Sequence, residues 1–205
     1  MKTRERIIVT SLALFNQFGE PNVTTLQIAD EMDISPGNLY YHYKNKTEIL
    51  SELFNRYESQ MMELLDVPEV EISLEDQWLF LHLVFEKIAE FRFLYQDLVN
   101  VLSKHPKIAN RFKRILDKKL TASITILSSL QQQRLLEATD QEIKATCHSI
   151  VLTITYWISY EMVSRGADGD AIDLGKGVFQ VMSLMVPYLR NDARTHFQEM
   201  STTYL

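Results

Sequence analysis

Apolar side chains recur at helical spacing from the start of the chain. Ile7, Ser11, Leu14, Phe15 and Phe18 fall at i, i+4, i+7, i+8 and i+11, with Ile8 and Leu12 widening the stripe, which predicts a helix over residues 3–18. Gly19 suits the position just past its end, and Pro21 follows. Thr24-Thr25-Leu26-Gln27 then has the form of a capping box, a hydroxyl residue followed three later by Gln. The helix it opens runs through Leu26, Ile28, Ala29 and Met32 and stops near Asp33. Ser35 offers a second N-cap, and Pro36 behind it suits a first helical position. The third helix, Pro36 to about His42, is too short to hold itself together, so its anchor Leu39 must sit among neighbours. The core expected for the three comprises Ile8, Leu12, Phe15, Ile28, Ala29, Leu39 and Tyr43.

Beyond that trio the pattern stays helical. Asn45 caps a fourth helix with Glu48 at its third position; Leu50, Leu53, Phe54, Tyr57 and Met61 form its inner face, and it fades near Pro68. Residues 66–73 make an acidic connection, and a long helix is expected from Ser73 or Leu74 to about Leu102, apolar nearly all round between Trp78 and Phe85. Pro106 separates it from a sixth helix ending near Gln131, whose core face is read as Ile108, Phe112, Ile115, Leu116, Leu120, Ile124, Leu127 and Leu130. Lys104, Lys107, Arg111, Lys113, Arg114, Lys118 and Lys119 crowd its first half, as a solvated face or as a surface turned towards phosphates. Residues 140–164 and 172–190 predict two strongly apolar helices separated by the turn SRGADGDA, and the tail from Arg190 adds a short helix and a frayed end. Helices too apolar for one core have a second surface to bury, most simply against a partner subunit. Ile150, Ile154, Ile158, Val178, Met182, Met185 and Leu189 are the candidates for that dimer interface.

Composition narrows the class. Glycine (6) and proline (5) are scarce in 205 residues, which favours an all-α protein with ample core. The single cysteine, Cys147, allows no intramolecular disulfide and falls on an apolar helix face as packing. The uncharged stretch Thr146 to Tyr160 is shorter than the roughly 20 residues of a membrane span. The N-terminus lacks a signal-peptide pattern, so the expected location is the cytoplasm. The histidines are scattered, with His82–Glu86 the only pair at ligand spacing, and no nucleophile elbow, phosphate loop or triad is present: no metal, no cofactor and no enzymatic activity are expected. The net charge is −6, and in residues 1–50 five Lys/Arg stand against six Asp/Glu. A DNA-binding role then rests on local placement, because screening confines each charge to about 8 Å at physiological salt.

A short capped helix presented after a turn is what a helix-turn-helix lays in the major groove. Phe15, Gly19, Thr24-Thr25, Ile28-Ala29, Ile34-Ser35, Leu39-Tyr40-Tyr41-His42-Tyr43 and Lys44-Asn45-Lys46 together resemble the N-terminal domain of the tetracycline-repressor (TetR) family over roughly the first 60 residues. The resemblance implies a helix-turn-helix domain over residues 1–50, a link through the fourth helix (about 46–66), and a helical effector-binding and dimerisation domain over 51–205. It carries DNA contact to Thr24, Thr25, Ser35, Gly37, Asn38, Tyr40, Tyr41, His42 and Lys46, with packing as the other reading of Tyr41 and Tyr43. Asn pairs with adenine, and Tyr meets a thymine methyl or a phosphate. It also implies a ligand cavity in the larger domain, for which Trp78, His82, Phe85, Glu86, Phe112, Tyr156, Trp157 and Tyr160 are candidate lining. The function expected is a homodimeric regulator, a repressor released from a pseudo-palindromic double-stranded DNA operator by a small lipophilic effector. The rival readings are an effector-independent DNA-binding dimer and a ligand-binding or scaffolding dimer that has lost DNA binding.

Overall fold

The computed structural model describes residues 2–68, 71–165 and 173–202, and among these the chain is helical, with a single isolated β-bridge. Most of the SRGADGDA turn and the last residues of the tail lie outside the described residues. The chain divides into two compact units, one of residues 1–60 with 91–112 and one of residues 61–90 with 113–205. The boundary expected near residue 50 falls inside the first.

In the first unit, α1 (Thr3–Phe18) buries Ile7, Ile8, Ser11 and Phe15 and closes at Gly19, whose φ of 81° lets its N–H reach the Phe15 carbonyl at 2.9 Å. Phe18 is 53% exposed, so the stripe predicted for this helix is one residue too long. α2 (Thr25–Glu31) begins with the expected capping box: Gln27 N–H donates to Thr24 Oγ1 at 3.2 Å, and Thr24 N–H donates to Gln27 Oε1 at 2.8 Å. Ile28 and Ala29, expected in the core, take the inner face, and Leu26 is 57% exposed. Asp33 makes the turn at φ 53°, a conformation a short polar side chain tolerates. α3 (Pro36–His42) follows, with Asn38 N–H donating to Ser35 Oγ at 3.2 Å. α4 (Lys46–Leu64) starts where Glu48 N–H donates to Asn45 Oδ1 at 3.0 Å, and within this unit it buries Ile49, Leu50, Leu53, Phe54 and Tyr57.

The long helix expected from residue 74 to 102 is three helices. α5 (Leu74–Glu90) stops before Phe91, α6 (Arg92–Gln96) before Asp97, and α7 (Leu98–Lys104) before Pro106. The chain leaves helical geometry at Phe91 (φ −111°, ψ 37°) and at Asp97 (φ −135°, ψ 42°), and at Phe91 it meets long-range partners that periodicity does not register. The Phe91 ring lies 5.6 Å from that of Tyr57, and the freed N–H of Phe93 donates to Asn16 Oδ1 of α1 at 3.0 Å. Phe54, Tyr57, Phe91, Tyr95 and Phe112 form one aromatic cluster, inside which the Tyr57 and Tyr95 hydroxyls hydrogen-bond to each other.

The second unit packs α5 with the greater part of α8 (Pro106–Gln132), α9 (Asp140–Arg165), α10 (Leu174–Ser183) and α11 (Asn191–Ser201). α5 has its own capping box, Ser73 with Asp76, and buries Leu74, Gln77, Trp78, Leu81, Val84, Phe85 and Ile88 at helical spacing. α10 comes so close to α5 and α9 that a Cβ on Gly177 would stand 2.8 Å from the Phe85 ring and 2.9 Å from Trp157. It ends sooner than the predicted 172–190, and a turn of 3-10 helix at Val186–Tyr188 carries Pro187, which has no N–H to continue the ladder. Arg190 N–H then donates to Leu135 O at 3.0 Å, and Glu137 N–H to Tyr188 O at 2.8 Å.

Two corrections concern this unit. The core face of α8 differs in part from the predicted one: Ile108, Phe112, Ile115, Leu127 and Leu130 are buried as expected, but Leu116, Leu120 and Ile124 are half-buried, whereas Lys119, Ala122, Ser123 and Ile126, outside the predicted face, are buried. Lys119 therefore belongs to the interior, not to the solvated basic crowd. Its crowd-mates Arg111 and Lys118 pair with Glu58 and Asp66 respectively. All seven candidates for the dimer interface, Ile150, Ile154, Ile158, Val178, Met182, Met185 and Leu189, are buried within the single chain. They form this unit's own core. The apolar residues of α9 left exposed are on its other side: Leu152, Tyr156, Tyr160, Met162 and Val163.

Candidate nucleic-acid interface

Of the seven residues of α3, Leu39 alone is buried, at 0% exposure. It pins the helix to its neighbours, and Pro36, Gly37, Asn38, Tyr40 and Tyr41 face solvent with His42 half-buried. Seven residues have no helical stability of their own, so the Ser35 cap, Pro36 and the Leu39 anchor supply what length cannot. Tyr41 is 85% exposed, and its ring meets that of His42 edge-on at 5.1 Å. An outward tyrosine of this kind has no packing role inside the chain. Tyr40 is held more firmly: its hydroxyl hydrogen-bonds to Thr25 Oγ1 at 2.9 Å, tying α3 to the start of α2. Thr24 and Ser35 are exposed, each with its hydroxyl accepting an N–H as a helix cap.

Tyr43 is buried, and its hydroxyl accepts from Arg4 Nε at 3.1 Å while the Arg4 guanidinium lies 5.2 Å over its ring. It is a packing residue. Gly37 is open: a Cβ there would meet nothing nearer than Ser35 Oγ at 3.9 Å, so nothing within the chain demands glycine. Lys46 is turned inward. Its ammonium donates to the Glu20 carbonyl oxygen at 2.8 Å and pairs with Glu20 Oε1 at 3.0 Å, and Glu20 is itself buried. Glu20 was not singled out in the sequence; the signal available was an acid in an otherwise apolar and turn-forming stretch. Behind this face, Arg56 holds Glu5 with two hydrogen bonds of 2.7 Å, and the Glu5 carboxyl lies below its ordinary range because Arg56 donates to it.

The eight candidates for a ligand cavity are not brought together. Phe112 belongs to the aromatic cluster of the first unit, and Glu86, Tyr156 and Tyr160 are exposed. Trp78 Nε1 donates to His82 Nε2 at 3.0 Å, while Phe85 and Trp157 are packed against Gly177. Burial holds His82 below its ordinary pKa. A small cavity of the second unit, about 20 Å³, lies instead near Gln77, Leu81, Lys119, Ser123, Ile150 and Ile154. α5 turns Gln77, Leu81 and Val84 towards it, one helical face away from His82 and Glu86. A shallower depression of about 540 Å³ beside α8 has a polar wall of Glu71, Thr125, Ser128, Ser129, Gln132 and Gln133.

Comparison with known proteins gives these geometries a context. A family profile described as "Bacterial regulatory proteins, tetR family" matches residues 7–53, and one described as "Bacterial transcriptional repressor" matches residues 56–197. A crystal structure of a TetR-family transcriptional regulator from Marinobacter aquaeolei VT8 superposes with a TM-score of 0.89 at 34% identity, covering 100% of this chain and 99% of that one. SmeT, the repressor of the Stenotrophomonas maltophilia multidrug efflux pump SmeDEF, shares the fold, with a TM-score of 0.66 at 17% identity over 94% of this chain and 93% of that one. A probable acrEF/envCD operon repressor of Escherichia coli (strain K12) is 37% identical over 54 residues, 26% of this chain and 24% of that protein. The matched stretch is thus about a quarter of that curated relative's length.

Proposed function

Because this chain belongs to the TetR family of bacterial transcriptional repressors, we propose that it is a homodimeric repressor of a pseudo-palindromic operator, released by a small molecule with an apolar body. The observation that carries DNA binding is α3, a helix whose single buried side chain is Leu39 and whose Asn38, Tyr40 and Tyr41 are offered outward. Asn38 suits an adenine edge and the tyrosines a thymine methyl or a phosphate oxygen. One such helix touches too few base pairs to bind tightly, so two copies must read half-sites a helical turn or more apart.

The partner-facing surface of this reading is the outer stripe of α9. Leu152, Tyr156, Tyr160 and Val163 follow one another at spacings of four, four and three and are 61%, 44%, 61% and 84% exposed. Apolar side chains aligned in that way suit burial against a second copy. The rival without an effector draws support from the cavity size, since about 20 Å³ is room for one water.

Footprinting on the DNA flanking the gene tests the proposal. One protected region with two-fold symmetry and a dimer stoichiometry is expected, lost with Tyr41→Ala or Asn38→Ala at unchanged thermal stability. Absence of protection at low salt, or protection indifferent to both substitutions, would sink it.

A further inference from the structure

The small cavity of the second unit is walled by apolar side chains, Leu65, Leu81, Leu127, Ile150 and Ile154 among them, and by the polar Gln77, Lys119 and Ser123. The hydrogen-bonding capacity left on that wall is of one kind. Lys119 has a partner of its own within the chain. Ser123 commits its proton to the Lys119 carbonyl oxygen at 2.9 Å, so what remains on its oxygen is lone pairs. Gln77 is 4% exposed; its Nε2 donates to the Met185 sulfur at 3.1 Å, and its Oε1 is buried with no hydrogen-bond partner. The unsatisfied atom is therefore an acceptor, and the hydroxyl oxygen on the same wall has only acceptance left to offer.

A buried amide oxygen without a donor destabilises the chain that carries it, unless a guest completes it. We propose that this cavity is the effector site and that its ligand is a small neutral alcohol with an apolar body, whose O–H donates to Gln77 Oε1. This inference rests on the effector reading above and specifies its chemistry. An ether of the same shape brings only an acceptor and leaves the Gln77 oxygen as it was. A carboxylate sets its negative charge against that oxygen and loses its hydration to a wall of leucine and isoleucine. The order of affinity follows from donor capacity and charge: alcohol, then ether, then carboxylate.

The cavity holds about 20 Å³, so a guest enters by displacing side chains. Those around it are suited to that: Leu65, Leu81 and Leu127 repack among rotamers, and Met185, against Gln77, is flexible and polarisable. A short chain is therefore favoured over a polycyclic body.

The test compares two isomers, hexan-1-ol and 1-methoxypentane, with hexanoate as the anion. Each is titrated calorimetrically into the full-length protein at pH 7 and then added to its complex with operator DNA. The wild type should bind the alcohol about three- to tenfold more tightly than the ether, the range of one neutral hydrogen bond. Hexanoate should bind weakest, and the alcohol should release DNA. Gln77→Met keeps the length of the side chain and removes the acceptor, and should bring alcohol and ether within about twofold of each other. Its melting temperature shows whether it is folded; should it not be, Gln77→Leu provides the same comparison. Equal affinity of the wild type for the two isomers, or a preference that survives the Gln77 substitutions, overturns the donor assignment. Tighter binding of hexanoate than of the alcohol overturns it as well. The ether releasing DNA as well as the alcohol does leaves the apolar-effector reading standing and defeats only this inference. Binding of none of the three defeats it too.

Discussion

Lys46 is the position at which the free structure and a simple phosphate contact part company. Its ammonium is 2.8 Å from one oxygen of Glu20 and 3.0 Å from another, and the Glu20 side chain is 8% exposed. At 3 Å and an effective dielectric near 20, opposite charges attract by roughly 5 kcal/mol before desolvation is subtracted. Stripping one partner from a buried pair costs about 3–5 kcal/mol, whereas an exposed ion pair is worth about 1 kcal/mol or less. Lys46 should therefore stay with Glu20 when DNA arrives and act by fixing the start of α4 to the turn after α1. Lys46→Gln then weakens binding to every duplex by a similar factor and leaves the salt dependence alone. A lysine that neutralised a phosphate would contribute a slope of about 0.9 in log K against log salt, so its loss from both protomers would change the slope by about 1.8. Between about 50 and 200 mM salt that difference alters the wild-type-to-variant affinity ratio roughly 12-fold. Fluorescence anisotropy with a labelled operator duplex at three salt concentrations reads it directly. A slope reduced by nearly 1.8 in Lys46→Gln would refute the clamp, and so would unchanged affinity and melting temperature in Glu20→Gln.

Three further outcomes are expected. Gly37→Ala should stabilise α3 by about 0.5–1 kcal/mol, since the chain has room for the methyl, yet weaken operator binding about tenfold where the helix backbone approaches the groove; a variant that binds as well as wild type would place Gly37 away from DNA. Leu152→Glu or Tyr160→Glu should raise the dimer dissociation constant at least about thirtyfold by sedimentation, the 2 kcal/mol of an interface hot spot, at unchanged helicity; a dimer indifferent to both would put the interface elsewhere. Folding stability should rise between pH 7 and pH 9, because the unfolded chain holds a proton on Lys119 that the folded amine, near 7, releases. The rise is at most about 1.4 kcal/mol per pH unit, and above pH 9 the Cys147 thiol, pushed up to about 11 by burial, acts in the opposite direction. Urea titrations at pH 7, 8 and 9 should show the rise in wild type and not in Lys119→Met, and parallel profiles would contradict it.

What the sequence determined by itself is local. Gly19 fixes where α1 ends, and the capping box at Thr24, the Ser35-Pro36 start and the Asn45 cap fix where α2, α3 and α4 begin, because each is a hydrogen bond or a φ preference spanning only a few residues. Leu39 as the anchor of α3 was legible for the same reason: one apolar residue in a polar heptapeptide has one place to go. Tertiary structure decided whatever depends on which face of an apolar helix meets which neighbour. α9 carries apolar residues on both sides, so its pattern did not say that Ile150, Ile154 and Ile158 turn inward and Leu152, Tyr156 and Tyr160 outward. The break at Phe91 answers to partners such as Tyr57 and Asn16, far away along the chain. Lys119 sits among lysines in sequence and among leucines in space, and the Glu20–Lys46 pair joins residues 26 positions apart. Periodicity reports that a face is apolar or charged, whereas the energy of burying it is set by the group it meets.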